Sequence, residues 1–368
     1  MSVNNTTFFQ FGNASTALPL LDPKYAGAWL AWLIVQLLIC LFGTVANAVL
    51  ILVTCLYRKI RESSSSPLII HCTALDLYLS AVVSPLTTIL AYLGPGQYLP
   101  PNFCRYSAIG FFIFYYIQVW AACCLAFQRL IATLFPLHYQ KFVTTRALVI
   151  MFVFPWLLNL LINIFPTLRI GTESTEWRQV GGCTFVPHGH STSIFHSFSL
   201  YLPSVLIGSF YVLILGRTVY VLRFRRDSRT GKNAPFAALL RRRLEISKTL
   251  FVSFLWMCLA MYPLTFALSF APTVFGRNIY AHILIRLFFS SYSSLNPIFY
   301  FLTSKLYMEG LRYVFWPPGR RSQVAGANPR APTLGDRGAL QLSERMTYEG
   351  TGAAAESSVQ QNKTSSDI

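Results

Sequence analysis

The sequence predicts an all-α membrane protein, a seven-transmembrane helix bundle followed by a short amphipathic eighth helix. Of its 368 residues, 54% are hydrophobic and only 12% are charged, whereas soluble domains carry about 25% charged residues. Several apolar stretches reach the roughly 20 residues that a helix needs to cross a bilayer. They are continuous, whereas the strands of a membrane barrel alternate over about 10 residues. Helices also satisfy their own backbone groups within lipid.

The apolar stretches define seven spans with no internal repeat. Five spans contain a proline (Pro85, Pro155, Pro203, Pro263 and Pro297), which membrane helices tolerate because neighbouring groups and water satisfy the freed carbonyls. The predicted bounds are Trp29–Tyr57, Leu68–Leu93, Cys104–Phe135, Leu148–Pro166, Ile194–Leu222, Thr249–Phe270 and Tyr280–Leu302.

Lys and Arg residues are concentrated after the first, third and fifth spans. Because cytoplasmic loops carry such an excess, we expect an extracellular N-terminus and a cytoplasmic C-terminus. The predicted organisation is an extracellular segment at 1–28, the bundle at 29–303, the amphipathic helix at 304–316 and a disordered cytoplasmic tail at 317–368. The polar segment 1–28 indicates no cleavable signal peptide. The net charge of +17 is assigned to the cytoplasmic side, where it favours anionic membrane lipids and not nucleic acid.

Residues on the external side fit this orientation. Asn4, Asn5 and Asn13 each lie two residues before Ser or Thr, so we expect glycosylation there. Cys104 opens the third span, and Cys183 is the only cysteine of the external loop 167–193. An oxidising exterior favours a disulfide between these two cysteines. The other six lie within spans and are interpreted as packing residues.

Short motifs recur in order along the spans. Each is common alone, but together their order and spacing are specific. They are Gly43-Thr44-Val45-Ala46-Asn47, Leu75-Asp76, Cys104 to Arg129 followed by Pro136-Leu137, Trp156 with Pro166, Pro203 with Tyr211, Pro263, and Asn296-Pro297-Ile298-Phe299-Tyr300.

In these motifs the chain resembles the rhodopsin-like (class A) G protein-coupled receptors over residues 29–316. The resemblance implies a plasma-membrane receptor that binds an extracellular ligand and activates a heterotrimeric G protein, with arrestin as a further partner. The alternative is a ligand-independent or non-signalling seven-helix protein that acts as a decoy or scaffold. No enzyme is expected, because the sequence has no paired-acid site, no H-E-x-x-H motif and no Gly-rich phosphate loop.

The resemblance assigns G protein activation to Arg129, Tyr211, Asn296, Pro297 and Tyr300. In the family an Asp/Glu-Arg-Tyr triplet holds the arginine at rest, and on activation the arginine swings toward the two tyrosines. Here the triplet is Gln128-Arg129-Leu130. A neutral partner gives a weaker tether than an ionised one, which predicts raised basal signalling.

Two other accounts of Arg129 stay open at this stage. Glu245, near the inner end of the sixth span, replaces the missing acid, although Arg243 opposes it. Alternatively, Arg129 only snorkels to the membrane surface. The sixth span also departs from the family, because Met261 stands where the family has a tryptophan before Pro263. We therefore expect the proline hinge without the usual ring switch.

Asp76 is the only acid within the predicted membrane core, and such an acid is a functional hypothesis by default. In the family this position holds a sodium ion with polar groups of the third and seventh spans. The matching residues here are Gln118, Ser293 and Asn296. The alternatives are a bound sodium ion or a hydrogen-bonded cluster in which Gln118 fills the ion's space. No other cofactor is expected.

The resemblance places a ligand pocket in the outer half of the bundle, expected at Phe111, Tyr115, Phe195, Thr265, His282 and Arg286. Phe111 and Tyr115 share one helix face by their spacing. Phe111 replaces the aspartate of amine receptors, and Ser290 replaces the retinal-binding lysine of opsins. Neither an amine held by that contact nor light sensing is therefore expected.

Arg286 is the most informative of these residues, because it lies in the outer half of the seventh span. One interpretation pairs it with Glu173 or Glu176 of the external loop, or lets it snorkel outward. The other is recognition of a ligand carboxylate or phosphate, with His282 assisting, which predicts an acidic lipid or an acidic peptide as ligand. At the other end of the chain, Ser366-Asp367-Ile368 predicts binding to a PDZ protein.

Overall fold

The computed structural model of the protein describes residues 23–93, 102–107, 110–111, 113–135, 139, 144–170, 172–176, 183–187, 197–224, 234–270 and 278–316, with side chains throughout except at 23, 166, 172–176, 184–187, 197, 221–245 and 268–270. The chain divides into two units, Met1–Pro317 and Pro318–Ile368, and every described residue belongs to the first. The predicted glycan sites Asn4, Asn5 and Asn13 and the tail from Pro317 onward lie outside the described residues.

Eight main helices form the described part of the chain. Their bounds are α1 Ala26–Leu56, α2 Ser66–Leu93, α3 Ile113–Leu134, α4 Thr145–Thr167, α5 Leu202–Phe224, α6 Ala234–Phe270, α7 Ile279–Thr303 and α8 Lys305–Phe315. Shorter helical turns occur at Pro23–Tyr25, Arg58–Arg61 and Phe103–Ser107.

Six of the described helices, α1 to α6, are long and apolar enough to cross a bilayer. The seventh, α7, has 25 residues, which at about 1.5 Å per residue is also a spanning length. Its sequence is more polar and includes His282, Arg286 and Asn296. It packs along α1 and α6, so these polar residues belong to a helix of the bundle.

The helices pack as a bundle in which α3 is the most buried of the six apolar helices. The pairs α1–α2, α3–α5, α5–α6, α6–α7 and α7–α1 are in contact, and α3 also packs on α2 and α4. Over an apolar stretch of 18 residues, 67% of the residues of α3 are buried, whereas only 17% of those of α4 are buried. Leu38 of α1, Leu161 of α4 and Val212 of α5 are exposed. So much exposed apolar surface is typical of a lipid-facing exterior.

The contact between α1 and α7 depends on one glycine. A Cβ atom at Gly43 would overlap the backbone and side chain of Ser294. The close approach lets Asn47 donate from Nδ2 to the Ser293 carbonyl at 3.0 Å, and also to the Gly43 carbonyl at 2.9 Å. The Gly43 and Asn47 positions of the first motif therefore join α1 to α7.

Widened π-helical turns lie close to Pro85 and Pro203. Leu79–Val83 interrupts α2 shortly before Pro85, and Ser197–Tyr201 precedes α5 and Pro203. Proline lacks an N–H and its ring clashes with the carbonyl four residues earlier, and a π turn is one way in which a helix accommodates such a break. Both turns lie at prolines that the sequence analysis placed within spans.

The bundle has two distinguishable ends. At one end the predicted disulfide between Cys104 and Cys183 is formed, and we call this the disulfide end. It joins the Phe103–Ser107 turn to an antiparallel hairpin of β1 Thr172–Glu176 and β2 Cys183–Pro187. The opposite end carries Arg129 and α8, and we call it the Arg129 end. The prediction of an all-α protein is confirmed for the bundle, to which the structure adds this hairpin.

The amphipathic helix predicted at 304–316 is α8, Lys305–Phe315. Ser304, with an extended backbone at φ −112° and ψ 112°, separates it from α7. Tyr307 and Gly310 face inward and are buried. A Cβ atom at Gly310 would come within 2.7 Å of Val53 and 3.1 Å of Tyr57, so α8 lies directly against α1.

The third span was expected from Cys104, and Phe103–Ser107, Gly110 and Phe111 are helical, while residues 108, 109 and 112 before α3 lie outside the described residues. The start of the sixth span differs from that of the helix that contains it. The sixth span was expected from Thr249, but α6 begins at Ala234. The added part of α6 contains Ala, Leu and Arg, which are good helix formers, but its charges hide it from a search for apolar residues.

Candidate functional site

A polar cluster joins α2, α6 and α7 in the middle of the bundle. Asn296 donates from Nδ2 to Oδ2 of Asp76 at 2.5 Å, and Ser253 donates to Oδ1 of Asn296. Asp76 is fully buried. Among the side chains that the structure describes, it is the only buried acid. Three helices are therefore held together around one carboxyl group.

Three oxygens of this cluster have no hydrogen-bond partner in the described part of the chain. They are Oδ1 of Asp76, Oε1 of Gln118 and Oγ of Ser293. Gln118 of α3 lies beside the Asp76 carboxyl group, and Ser293 is one helical turn from Asn296 on α7. Buried oxygens of this kind are the ligands that hard cations prefer, so the donor set fits a sodium ion.

A cavity lies between this cluster and the Arg129 end. Its volume is about 40 Å³, enough for about two or three water molecules. The polar groups that line it come from both sides, and they are Gln118, Ser253, Asn296, Tyr211, Tyr300 and Cys72. The cavity therefore connects the polar cluster with the tyrosines that the resemblance assigns to activation.

Arg129 is buried near the end of α3, with 5% of its surface exposed. Its nitrogens Nε and Nη2 have no hydrogen-bond partner among the described residues. Simple snorkelling is wrong, because a snorkelling side chain would keep its charged head in solvent. Four tyrosine side chains lie near the guanidinium instead: Tyr139, Tyr307, Tyr211 and Tyr300.

Gln128 is bonded to the connection between α1 and α2. It is fully buried, and its Nε2 donates to the Ser64 carbonyl at 3.1 Å. The hydroxyl of Ser64 in turn lies 2.6 Å from that of Tyr139. Gln128 therefore fastens α3 to the connection between α1 and α2. The side chains of Glu245, the other expected partner of Arg129, and of Arg243, which was expected to oppose that pairing, lie outside the described residues.

The middle of α6 differs from the family pattern as the sequence indicated. Met261 is buried where the family has a tryptophan, and the neighbouring Tyr262 packs on Tyr201 and Phe266. The tryptophan of α6 lies earlier in the helix, where Trp256 packs between Phe288 and Phe299 of α7 at centroid distances of 6.1 and 5.9 Å. The aromatic contact between α6 and α7 is therefore made nearer the Arg129 end.

Toward the disulfide end, aromatic side chains cover the polar cluster. Tyr115 of α3 packs against Phe289 of α7 at 5.2 Å, and its hydroxyl lies 3.3 Å from that of Ser84. Phe111 packs at the edge of the same core. Thr265 donates to the carbonyl of Met261 on its own helix, so its hydroxyl is already engaged. Phe195 lies outside the described residues.

His282 and Arg286 lie one turn apart on α7 and close to each other. His282 is buried, and Trp29 of α1 lies 5.6 Å from its ring while stacking on Trp32 at 4.4 Å. Arg286 is partly buried on the same line of α7. The side chains of Glu173 and Glu176 lie outside the described residues. The contacts thus associate His282 with α1, and Arg286 lies close to His282.

Comparison with known proteins agrees with this architecture. Residues 46–300 match the family model described as 7 transmembrane receptor (rhodopsin family), which is more than half of the chain. The chain belongs to the rhodopsin family of seven-transmembrane receptors. It is therefore a G protein-coupled receptor of the multi-pass plasma-membrane class, and not an enzyme.

Individual relatives of this receptor are distant. The human alpha-1A adrenergic receptor is 27% identical over 198 residues, which cover 52% of this chain and 39% of that receptor. The bovine alpha-1A adrenergic receptor gives the same identity and coverage. The crystal structure of squid rhodopsin superposes with a TM-score of 0.65 at 18% identity, covering 79% of this chain and 86% of that one. This last similarity concerns the fold alone.

The structure brings together most of the residues that the sequence singled out. Asp76, Gln118 and Asn296 lie together, with Ser293 one turn from Asn296 on α7. Tyr211 and Tyr300 line the cavity, and Arg129 lies near them. Sequence reasoning missed Ser253 and Tyr307. Ser253, Met257 and Met261 repeat every four residues, so helical spacing could have placed Ser253 on the buried face of α6. Tyr307 lies beyond the extended residue Ser304, and helical spacing in α7 gives no information on the far side of such a break.

Proposed function

We propose that this receptor binds an extracellular ligand at the disulfide end and activates a heterotrimeric G protein at the Arg129 end. The disulfide end is then extracellular, as the distribution of Lys and Arg indicates. The observation that supports the proposal is the series of polar groups from Asp76 through Asn296 and the cavity to Tyr211, Tyr300 and Arg129. Arrestin is a further proposed partner at the Arg129 end.

A G protein activation panel in cells tests this proposal. Nucleotide exchange is measured for each G protein class, first without ligand and then against a ligand library. The receptor should activate at least one class, and Arg129→Gln should abolish that signal at equal surface expression. If wild type and variant are equally silent under all conditions, the alternative of a non-signalling decoy or scaffold is the better account.

The proposed ligand carries a carboxylate or phosphate that Arg286 recognises. A guanidinium is planar and donates two parallel hydrogen bonds to such groups. The aromatic side chains Phe111, Tyr115 and Phe289 supply an apolar surround. An acidic lipid or a peptide with an acidic residue meets both requirements. A cationic amine is disfavoured, because Asp76 is the only buried acid among the described side chains and lies deep in the core.

Potency measurements on Arg286 variants test this ligand class once an acidic agonist has been found. Arg286→Ala should cost about 2–5 kcal/mol of ligand binding, as when one partner of a buried charge pair is truncated. Arg286→Lys should recover only part of the loss, because an ammonium lacks the fork. If Arg286→Ala responds normally at normal surface levels, Arg286 does not read the ligand's charge.

A sodium ion is the proposed occupant of the cluster at Asp76, held by Oδ1 of Asp76, Oε1 of Gln118 and Oγ of Ser293. The support is the presence of three buried oxygens without a hydrogen-bond partner in the described part of the chain. Sodium should raise the melting temperature of purified receptor relative to equal concentrations of choline, and Asp76→Asn should remove the difference. Equal melting in both salts would favour a cluster in which Gln118 fills the space.

A further inference from the structure

Tyr307 of α8 lies in an unusual position beside Arg129. It is seven residues beyond Tyr300, across the break at Ser304, and only 1% of its surface is exposed. Its ring meets that of Tyr300 edge-on at 5.2 Å. Tyr300 lines the cavity together with Leu125 of α3, and Arg129 follows Leu125 by one helical turn on the same face of α3. Both Tyr307 and Arg129 therefore lie at the same end of the cavity.

The polar atoms of both side chains are buried without hydrogen-bond partners in the described part of the chain. These atoms are the hydroxyl of Tyr307 and the nitrogens Nε and Nη2 of Arg129. Thr54 lies next to Tyr307 but donates its own proton to the Leu50 carbonyl at 2.7 Å. The lone pairs of the Tyr307 oxygen therefore stay available to a donor. Leaving a buried donor and a buried acceptor both unpaired is unfavourable, so the two groups should pair.

Tyr307 is also held in place independently of α5 and α6. The close contact of Gly310 with Val53 fixes α8 against α1, and Tyr57, the residue that follows α1, donates to Glu309 at 3.3 Å. A hydrogen bond from Arg129 to Tyr307 would therefore keep the guanidinium on the α1 and α8 side of the bundle. Tyr211, toward which the family's arginine moves on activation, lies on α5.

We propose that the Tyr307 hydroxyl is the resting partner of the Arg129 guanidinium, accepting a hydrogen bond directly or through one water. It takes the role of the acid that Gln128 has replaced, so α8 restrains the activation machinery. Tyr307 is a positioning residue, since it acts through Arg129. The inference rests on the proposed G protein activation for its functional consequence, but not for the contact itself.

Removing the hydroxyl alone tests the consequence. Tyr307→Phe keeps the ring and its contact with Tyr300, and it should raise ligand-independent nucleotide exchange severalfold, up to about tenfold, because one charge-assisted hydrogen bond no longer favours the resting state. The matched control is Tyr313→Phe, an exposed tyrosine of the same helix, which should leave basal exchange unchanged. Unchanged or lower basal exchange in Tyr307→Phe overturns the proposed restraint.

A double-mutant cycle on purified receptor tests the contact without any signalling readout. Tyr307→Phe should lower the melting temperature by about 3 °C in wild type, but should have almost no effect in an Arg129→Met background. Equal losses in both backgrounds mean that the hydroxyl acts elsewhere and overturn the proposal. If no G protein responds to any variant, the proposed function fails, while the cycle still decides whether Tyr307 holds Arg129.

Discussion

The amide of Gln128 makes a hydrogen bond that an ionised acid at this position could not make. It donates to the Ser64 carbonyl, and an ionised carboxylate only accepts hydrogen bonds. Compared with the acid of the family, Gln128 therefore lacks the charged contact with Arg129. It instead bonds α3 to the connection between α1 and α2. The weaker tether expected from the sequence remains a prediction, and the structure supplies a reason for it, because Gln128 is engaged elsewhere.

Gln128→Glu should lower basal signalling. The variant keeps the length of the side chain and adds a negative charge next to a buried guanidinium, which favours their pairing. Ligand-independent nucleotide exchange at matched surface expression is the measurement. Gln128→Met, which is similar in length but uncharged, is the control and should not lower the signal. A Glu variant with normal or higher basal exchange contradicts the idea that a charge at this position restrains Arg129.

At this scale the sequence predicted which polar residues matter, but not all their partners. Asp76 and Asn296 were placed together because the resemblance to the family assigns both positions to one ion site. The bond from Gln128 to Ser64 was not predictable, because it depends on the path of a connection that lies outside the apolar spans. Contacts of that kind follow from three-dimensional packing and leave no periodic trace in the sequence.

Among the elements, the pair α1 and α7 shows how one small residue sets a helix separation. Gly43 lets the backbone of Ser294 come close enough for Asn47 to reach the Ser293 carbonyl. Membrane interfaces often use small residues in this way, because packing and hydrogen bonds replace the hydrophobic effect between helices in lipid.

Gly43→Ala should destabilise the receptor by about 1–3 kcal/mol, the usual range for overpacking, because the new methyl group overlaps Ser294. Thermal unfolding of the purified receptor is the measurement. The control is Gly216→Ala in α5, where a Cβ atom would meet nothing within 4 Å. That variant should be neutral or slightly stabilising. Equal behaviour of the two variants would mean that the α1–α7 separation can adjust.

The existence of the helices was predictable, whereas their internal irregularities were not. Apolar length predicted α1 to α5 because lipid imposes it. It failed at the start of α6, where charged helix formers extend the helix. It also gave no indication of the π turns, because hydropathy counts residues and does not register how far each turn rotates.

For the whole molecule, the disulfide is a covalent cross-link that adds to the main-chain connections between the β hairpin and the helices. The Cys104–Cys183 bond closes a loop with a sequence separation of 79 residues. Arg105, next to Cys104, donates to the Thr167 carbonyl at 2.6 Å. This bond also holds the end of α4, from which the chain enters the hairpin.

Replacing both Cys104 and Cys183 by Ser should reduce surface delivery and cost about 2–5 kcal/mol of stability, as is typical when a native disulfide is removed. Cell-surface labelling and thermal unfolding measure the two effects. Cys55→Ser is the control, because Cys55 is an exposed free cysteine of α1. Normal delivery and melting of the double variant would show that the hairpin is held without the bond.

The widened turn at Leu79–Val83 also changes the rotational phase of α2. In a regular helix of 3.6 residues per turn, a step of four residues drifts steadily around the axis. Across this turn every fourth residue stays on one side, and Asp76, Ser80, Ser84 and Thr88 are all buried. A saturation scan of α2 should therefore show a sensitivity period of four residues here, and the hydroxyl groups on that line form a polar seam from Asp76 toward the disulfide end.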